Sequence, residues 1–551
     1  MTASIRSLAL KNFKCFSDEV RIELRPITLL FGVNSAGKSS VLQALQYMRE
    51  ILDRHNTNAD RTLQGGEVVD LGGFLNLVHG RDLQRTIEIE VGMQLGVTSI
   101  PELVPESFDE WQTSDEGVWG VYNTLQSVRT KVESVSVRLS VAWNEQREQP
   151  IVQSYQVITN GVWCVHIESS GDGRDVRMRL NRENPIFMAE APDPDAELAE
   201  LLDFVDPLDL GGDSDPTSEP EVEGNATSST SAGLRSVLPD IFLAVEEAGM
   251  ERPGDGLRGW LSGFRGALPQ LNRVLNIPAP GAKGAENVYI VREFTAFLSW
   301  LTVGPALLLR NELRELRYIG PLRRIPPRGF DVALTKSESA WSNGMAAWET
   351  LLTGSEDLVE RVSDWMQSAD KLATGYAVTR EPVQEFNPAQ PVPQPVGPVR
   401  KRTRLVDAAG LAHQPQDVGV GISQVLPVVV AAQDGNASVV CIEQPELHIH
   451  PAVQVGLGDL FIDGAMNQEL SFLIETHSEH LILRLLRRIR EAAEVTSETL
   501  GQQLTPELLG VYCLNKRNGV VWIDKVPVTS TGDFAKPWPQ GFFDERGAEL
   551  F

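Results

Sequence analysis

The octapeptide Gly32–Ser39, GVNSAGKS, restricts this chain more than any other segment. It fits the phosphate-loop pattern G-x-x-x-x-G-K-[ST], follows the apolar run Pro26–Phe31 (PITLLF) and opens a helix-like stretch, Ser39–Leu52. Glycines let a backbone fold round a phosphate, while successive N–H groups and a helix N-terminus point at it. Lys38 reaches terminal phosphates and the Ser39 hydroxyl can hold Mg²⁺. The contact set read from this loop is Gly32, Asn34, Ser35, Ala36, Gly37, Lys38, Ser39 and Ser40.

A distant segment, Ser438–Pro451 (SVVCIEQPELHIHP), has the complementary chemistry. Glu443 ends an apolar strand, where a carboxylate binds the water shell of Mg²⁺, so Ser39 and Glu443 are the expected metal contacts. Leu473–Glu475 ends another strand and is followed by Thr476-His477-Ser478, which places a histidine where it can touch a terminal phosphate. Upstream, Asp417–Pro427 (DVGVGISQVLP) sets glycines and Ser423-Gln424 at a helix start, again offering N–H groups and a hydroxyl to phosphate. These segments converge if they lie at the C-terminal strand ends of one parallel sheet.

A chain of 551 residues can bury a large core and should hold more than one lobe. Cys15, Cys164, Cys441 and Cys513 are far apart, which suggests a reducing, cytoplasmic setting and no disulfide framework. The N-terminus does not read as a signal peptide. The uncharged run Phe294–Leu309 is short for a membrane span and is interrupted by Gly304-Pro305, so it reads as core helix, with no membrane partner. Half of the net charge of −26 comes from Glu190–Glu223, thirteen acidic residues with no basic one. That composition predicts a solvated, disordered loop over about residues 189–233.

Three short strands, Ile5–Leu10, Val20–Leu24 and Ile27–Phe31, lead into the phosphate loop. Alternation from Thr86 to Leu180 predicts half-buried antiparallel sheet, interrupted by a polar loop near Pro101–Glu116. Leu234–Arg317 reads as mainly helical, and Pro382–Pro398 as a Pro/Gln-rich loop or linker. From Ile422 onward, helix, strand, helix, strand, helix and a final strand pair recreate α/β layering. The expected division is residues 1–80 and 318–551 as two parts of one nucleotide-binding core, with 81–317 as a β-rich, then helical insertion.

LKNFKCF (Leu10–Phe16), GVNSAGKS, GISQVLP, IEQPELHIHP and ETHSEH, in this order, resemble the ABC-type ATPase head of SMC-like proteins, RecF and the overcoming-lysogenisation-defect (OLD) class. YIGPLRRIPPR (Tyr318–Arg328) and the ending WPQGFFDERGAELF (Trp538–Phe551) resemble the prokaryotic predicted-ATPase branch of that class, found in antiphage systems. The resemblance implies an α/β fold, a mixed sheet with flanking helices, carrying the antiparallel insertion. It implies ATP and Mg²⁺ as cofactors and a homodimer closed over two ATP sites, with Ser423 and Gln424 touching the nucleotide of the other copy. Glu443 takes the place of the Walker B acid, His477 of the switch histidine and His450 of the D-loop position; a Q-loop glutamine is not assigned.

The chain departs from that pattern at Gln444. Glutamine stands where a glutamate usually activates water, and it cannot accept a proton. Either Glu446 serves instead, or hydrolysis is slow and ATP acts mainly as a clamp; IEQPE is common in the branch. His448 and His450 have no evident third ligand for a metal. Arg323, Arg324 and Arg328, and Arg400, Lys401, Arg402 and Arg404, are candidates for a nucleic-acid contact or for strand-edge charge. Arg484, Arg487, Arg488 and Arg490 read as a solvated helix face, and Phe13 and Phe16 as core. The function expected is a weak or partner-stimulated ATPase controlling a separate nuclease or toxin, because the stretch from His477 to Phe551 shows no Asp-x-Asp pair. The alternatives are an ATP-gated DNA repair protein and a non-hydrolysing ATP-bound scaffold.

Overall fold

The computed structural model describes residues 3–54, 71–103, 116–171, 173, 175–190, 234–250, 264, 266–277, 279–330, 341–387, 394–494 and 503–538. Most of the acidic stretch, most of the polar loop expected near Pro101–Glu116, residues 388–393 and the ending after Trp538 lie outside them. Along the chain, β1 (Ser4–Lys11), β2 (Val20–Glu23) and β3 (Ile27–Gly32) precede the phosphate loop and its helix, Lys38–Arg54. The alternating region forms β4 (Ile87–Gln94), β5 (Ser134–Asn144), β6 (Gln149–Thr159), β7 (Val162–Ser169) and β8 (Val176–Leu180). The short pair β9 (Met188–Glu190) and β10 (Leu234–Ser236) flanks the acidic stretch. After the helices Leu238–Glu247, Ala285–Thr302 and Gly304–Arg314 come β11 (Arg317–Ile319), β12 (Tyr376–Asn387), β13 (Gln394–Asp407) and β14 (Ala412–His413). The helix Val420–Gln433 then leads to β15 (Val439–Glu443), β16 (Ser471–Glu475), β17 (Leu509–Arg517) and β18 (Val520–Lys525).

The main sheet runs β11-β15-β16-β3-β17-β18, and every pair but the last is parallel. Every residue of β3, β15 and β16 is buried, as expected for strands covered on both faces. Their side chains alternate between two cores. Leu29, Phe31, Val440, Ile442, Phe472 and Ile474 join the core under the helices Val420–Gln433, Pro451–Asn467 and Glu479–Glu494. Leu30, Val439, Cys441, Leu473 and Leu514 join the other, which contains the apolar face of Lys38–Arg54. The fold class is therefore α/β, a mixed sheet with helices on both faces and an antiparallel lobe.

That lobe is a seven-stranded antiparallel sheet, β2-β1-β4-β5-β6-β7-β8. The N-terminal strands β1 and β2 belong to it, and β4 pairs with β1 directly. The segment after residue 81 thus shares a sheet and a core with the first strands of the chain. The Phe294–Leu309 run divides into two buried helices around Gly304, whose Cβ, if present, would lie 2.4 Å from Ile100. No described helix is long and apolar enough to cross a membrane.

Pro382–Pro398 corrects the linker expectation. In its described residues, 382–387 and 394–398, β12 and β13 pair as an antiparallel ribbon, with Pro382 opposite Lys401 and Pro395 opposite Phe386. β14 covers the outer edge of β13 only at Leu405 and Val406, so at the prolines each strand has one partner, and on the outer edge a proline costs no ladder hydrogen bond. The arginine helix is also less uniformly solvated than its spacing predicts: Arg484 and Arg488 both donate to Asp459, at 2.9 and 2.7 Å, tying Glu479–Glu494 to Pro451–Asn467. The latter helix approaches the sheet closely at Gly464, where a Cβ would meet the Phe472 ring at 2.7 Å and the Ala432 carbonyl oxygen at 3.1 Å. Gly464→Val is expected to lower unfolding free energy by about 1–3 kcal/mol, read as a reduced denaturation midpoint with an unchanged m-value.

Candidate nucleotide-binding site

The phosphate loop leaves β3 at Gly32 (φ 141°) and turns through Ser35 (φ 63°) and Gly37 (φ 96°). Two contacts explain why glycine is needed. A Cβ on Gly32 would lie 2.3 Å from the Leu514 carbonyl oxygen, and one on Gly37 would lie 2.1 Å from the Cys15 sulfur. The segment around Cys15 and Phe16 therefore backs the loop, and Phe13 and Phe16 are fully buried, as expected. Lys38 is 3% exposed and donates to the carbonyls of Gly32 at 2.9 Å and Val33 at 3.2 Å. Its own ammonium thus holds the loop curled. Val33, Asn34 and Ser35 face solvent.

Glu443 and Glu475 end adjacent parallel strands as direct register partners. Both are largely buried. Glu475 accepts the Ser39 hydroxyl at 2.6 Å and lies 3.9 Å from the Lys38 ammonium. Glu443 accepts the hydroxyl of Tyr318, from β11. Burial pushes the Glu443 carboxyl up to about 7, offset by the Tyr318 hydrogen bond and raised further by Glu475. Burial also raises Glu475, against the hydrogen bond from Ser39 and the charge of Lys38. A hydroxyl beside two crowded carboxylates is an oxygen-only donor set, which suits a hard divalent cation such as Mg²⁺. Ser39 and Glu443 were expected here; Glu475 and Tyr318 were not. The only sequence signal for Glu475 was an acid closing an apolar strand, as Glu443 does.

After Glu443 the chain turns sharply. Gln444 takes a left-handed conformation (φ 44°), and its N–H donates to the Glu475 carbonyl at 2.8 Å. Glu446 has both carboxylate oxygens engaged, by the Thr476 hydroxyl at 2.8 Å and the His477 N–H at 2.7 Å. It pins the segment after β16. Burial, and after it the positive charge of Lys38, lowers the His477 pKa and favours the neutral ring. His450 Nδ1 accepts the Ala452 N–H at 3.2 Å as the cap of its helix, while His448 is exposed.

Ser423 and Gln424 point inward. The Ser423 hydroxyl is fully buried and donates to the Pro415 carbonyl at 3.1 Å. The Gln424 amide grips the backbone of Arg323, and the buried Arg323 fits neither of its two expected roles, a nucleic-acid contact or strand-edge charge. Arg323 is 3% exposed, and its guanidinium donates to the carbonyls of Glu443 at 2.7 Å and Gln444 at 3.2 Å. Arg328 instead pairs with Asp417 at the surface. Lys401 and Arg404 on the ribbon pair with Glu356 and Glu381, at 3.3 and 2.6 Å.

Residues 4–100 match the family model described as "AAA ATPase domain", and residues 345–484 the model described as "AAA domain, putative AbiEii toxin, Type IV TA system". ATPase-domain sequence therefore lies on both segments that build this site. No curated protein matches the chain. Among solved structures, an SMC head domain from Thermotoga maritima aligns at 8% identity and TM-score 0.35, over 95% of this chain and 100% of that one. An Smc head domain from Pyrococcus furiosus, with an extended coiled coil and bound to the C-terminal domain of ScpA, aligns at 10% identity and TM-score 0.37, over 96% and 97%.

A carboxyl whose folded pKa exceeds its unfolded value binds extra protons in the folded state, so its contribution to stability falls as pH rises between the two. For Glu443 that window runs from the ordinary carboxylate range to about 7. Without nucleotide, Glu443→Gln should therefore be more stable than wild type above pH 7, by on the order of 2–3 kcal/mol, and equal to it below about pH 4. Denaturant titrations across pH measure this.

Proposed function

We propose that the chain binds Mg-ATP on the Gly32–Ser40 loop and hydrolyses it slowly, as an ATPase that pairs with a second copy and controls a separate effector. The observation that carries this reading is the assembly of Lys38, Ser39, Glu443 and Glu475 beside the loop, built from three neighbouring strand ends. Lys38 and the loop N–H groups would hold the phosphates, and Ser39 and Glu443 the metal, with Glu475 alongside. Bound Mg²⁺ supplies charge neutralisation on the phosphate oxygens. The chain's own residues position water and phosphate: His477 offers a ring nitrogen, while Gln444 can orient water without taking its proton. Glu446 is the nearest substitute base, yet its oxygens are committed to Thr476 and His477. A site so arranged turns over slowly.

Pairing is supported by the start of the helix Val420–Gln433. Its cap residue, Gly419, offers no side-chain hydrogen bond, and Gly419 and Val420 are exposed. The N–H groups of such a first turn are an anion site. With Ser423 and Gln424 turned inward, those backbone groups would meet the other copy's nucleotide. The match of residues 345–484 to a domain described with a toxin–antitoxin system supports a defence or toxin setting.

Light scattering with Mg-ATP should show wild type as a dimer and Lys38→Ala as a monomer, with a monomer for both in its absence. Gln444→Glu should raise turnover by about 10–100-fold. A rate unchanged in Glu446→Gln would remove Glu446 as the base, and a wild type that stays monomeric with saturating Mg-ATP would overturn the pairing.

A further inference from the structure

We propose that Arg323 is a positioning residue that couples the exposed first turn of the helix Val420–Gln433 to the backbone around Glu443 and Gln444. The inference rests on the reading that a second copy docks on that turn. Arg323 is joined to the helix at three points. Its N–H donates to Gln424 Oε1 at 3.2 Å, its carbonyl accepts from Gln424 Nε2 at 2.6 Å, and a guanidinium nitrogen lies 3.5 Å from the Gln424 carbonyl. The other end of the same guanidinium holds two consecutive carbonyls, those of Glu443 and Gln444. One residue, through its backbone on one side and its guanidinium on the other, thus bridges the exposed helix start and the turn that carries the expected metal ligand and the water-positioning residue.

The physical argument has three parts. A buried guanidinium is costly unless its donors are used, and burial does lower the Arg323 pKa, to about 10. One terminal nitrogen of its planar fork, Nη2, serves both the Glu443 and Gln444 carbonyls while the other, Nη1, reaches the Gln424 carbonyl, a span between two elements that an ammonium with a single nitrogen does not reproduce. Those carbonyls flank Gln444, whose left-handed backbone is uncommon for a residue with a side chain and needs support from its surroundings. The helix itself has a built-in break: Pro427 lies inside it and has no N–H for the Ser423 carbonyl. The turn before Pro427, which carries Gln424, can therefore shift against the rest of the helix. Gly344 leaves room for the bridge, since a Cβ there would lie 3.1 Å from both Arg323 Cβ and Pro427 Cγ. A displacement of the first turn would move Arg323, and with it the Glu443–Gln444 carbonyls.

Two variants cut the bridge from opposite ends: Arg323→Lys keeps the charge and loses the fork, and Gln424→Leu keeps the fork and loses the helix. Hydrogen–deuterium exchange of the full chain with Mg-ATP should show wild type protected at residues 33–40, 419–424 and 443–447. In both variants, protection of 33–40 and 419–424 should persist while that of 443–447 drops by about 10-fold. Turnover should fall by about 10–100-fold, with KM changed less than about 3-fold. Protection of 443–447 at the wild-type level in either folded variant would overturn the proposal, and Gln424→Leu carries the test if Arg323→Lys does not fold. Loss of protection at 33–40 in wild type would instead overturn the ATP-binding reading itself.

Discussion

Two carboxylates, Glu443 and Glu475, sit side by side at the ends of β15 and β16 with almost no access to water. Left alone, such a pair would not remain charged. The structure around it can be read as a set of responses to that repulsion. Ser39 donates a hydroxyl to one acid and Tyr318 to the other, Lys38 approaches from the phosphate loop, and Arg323 secures the carbonyls just behind. The responses come from two segments far apart in the chain, Lys38–Ser39 on the phosphate loop and Tyr318–Arg323 on β11 and the turn after it.

Sheet order makes this possible. β16 lies between the phosphate-loop strand β3 and the strand β15 that carries Glu443. The acid nearest the loop is therefore Glu475, and Glu443 is one strand further away. Ser39 meets Glu475 across 436 positions of sequence. Buried parallel strands are tolerant of such distances, because alternate side chains feed two separate cores and lock the register. Between the two halves of the site, the chain builds an antiparallel lobe that recruits its own first strands, β1 and β2, so the lobe and the nucleotide face share one core.

Several side chains whose surroundings differ from what their sequence context suggests share one physical cause. Arg323 and Arg324 look alike in sequence, yet one is buried against backbone carbonyls and the other is exposed. Ser423 stands at a helix start, where a hydroxyl could face outward, but the helix phase turns it onto Pro415. The proline-rich stretch looked like a linker because prolines usually interrupt strands, while the partner strand that tolerates them was not visible. In each case local chemistry was sound, and the side chain's neighbours decided its role.

By itself the sequence determined the phosphate loop, its strand and helix, the acid at the end of the next apolar motif, and the α/β class. These depend on short-range patterns: glycine conformation, period-two burial and helix starts are properties of neighbouring residues. The tertiary structure alone decided that Glu475 stands between Ser39 and Glu443, that Tyr318 and Arg323 hold the second acid and its turn, and that Ser423 and Gln424 face inward. Those relations depend on which strands lie together and on the direction each side chain takes, and both are set by the packing of two cores, each assembled from residues hundreds of positions apart in the chain.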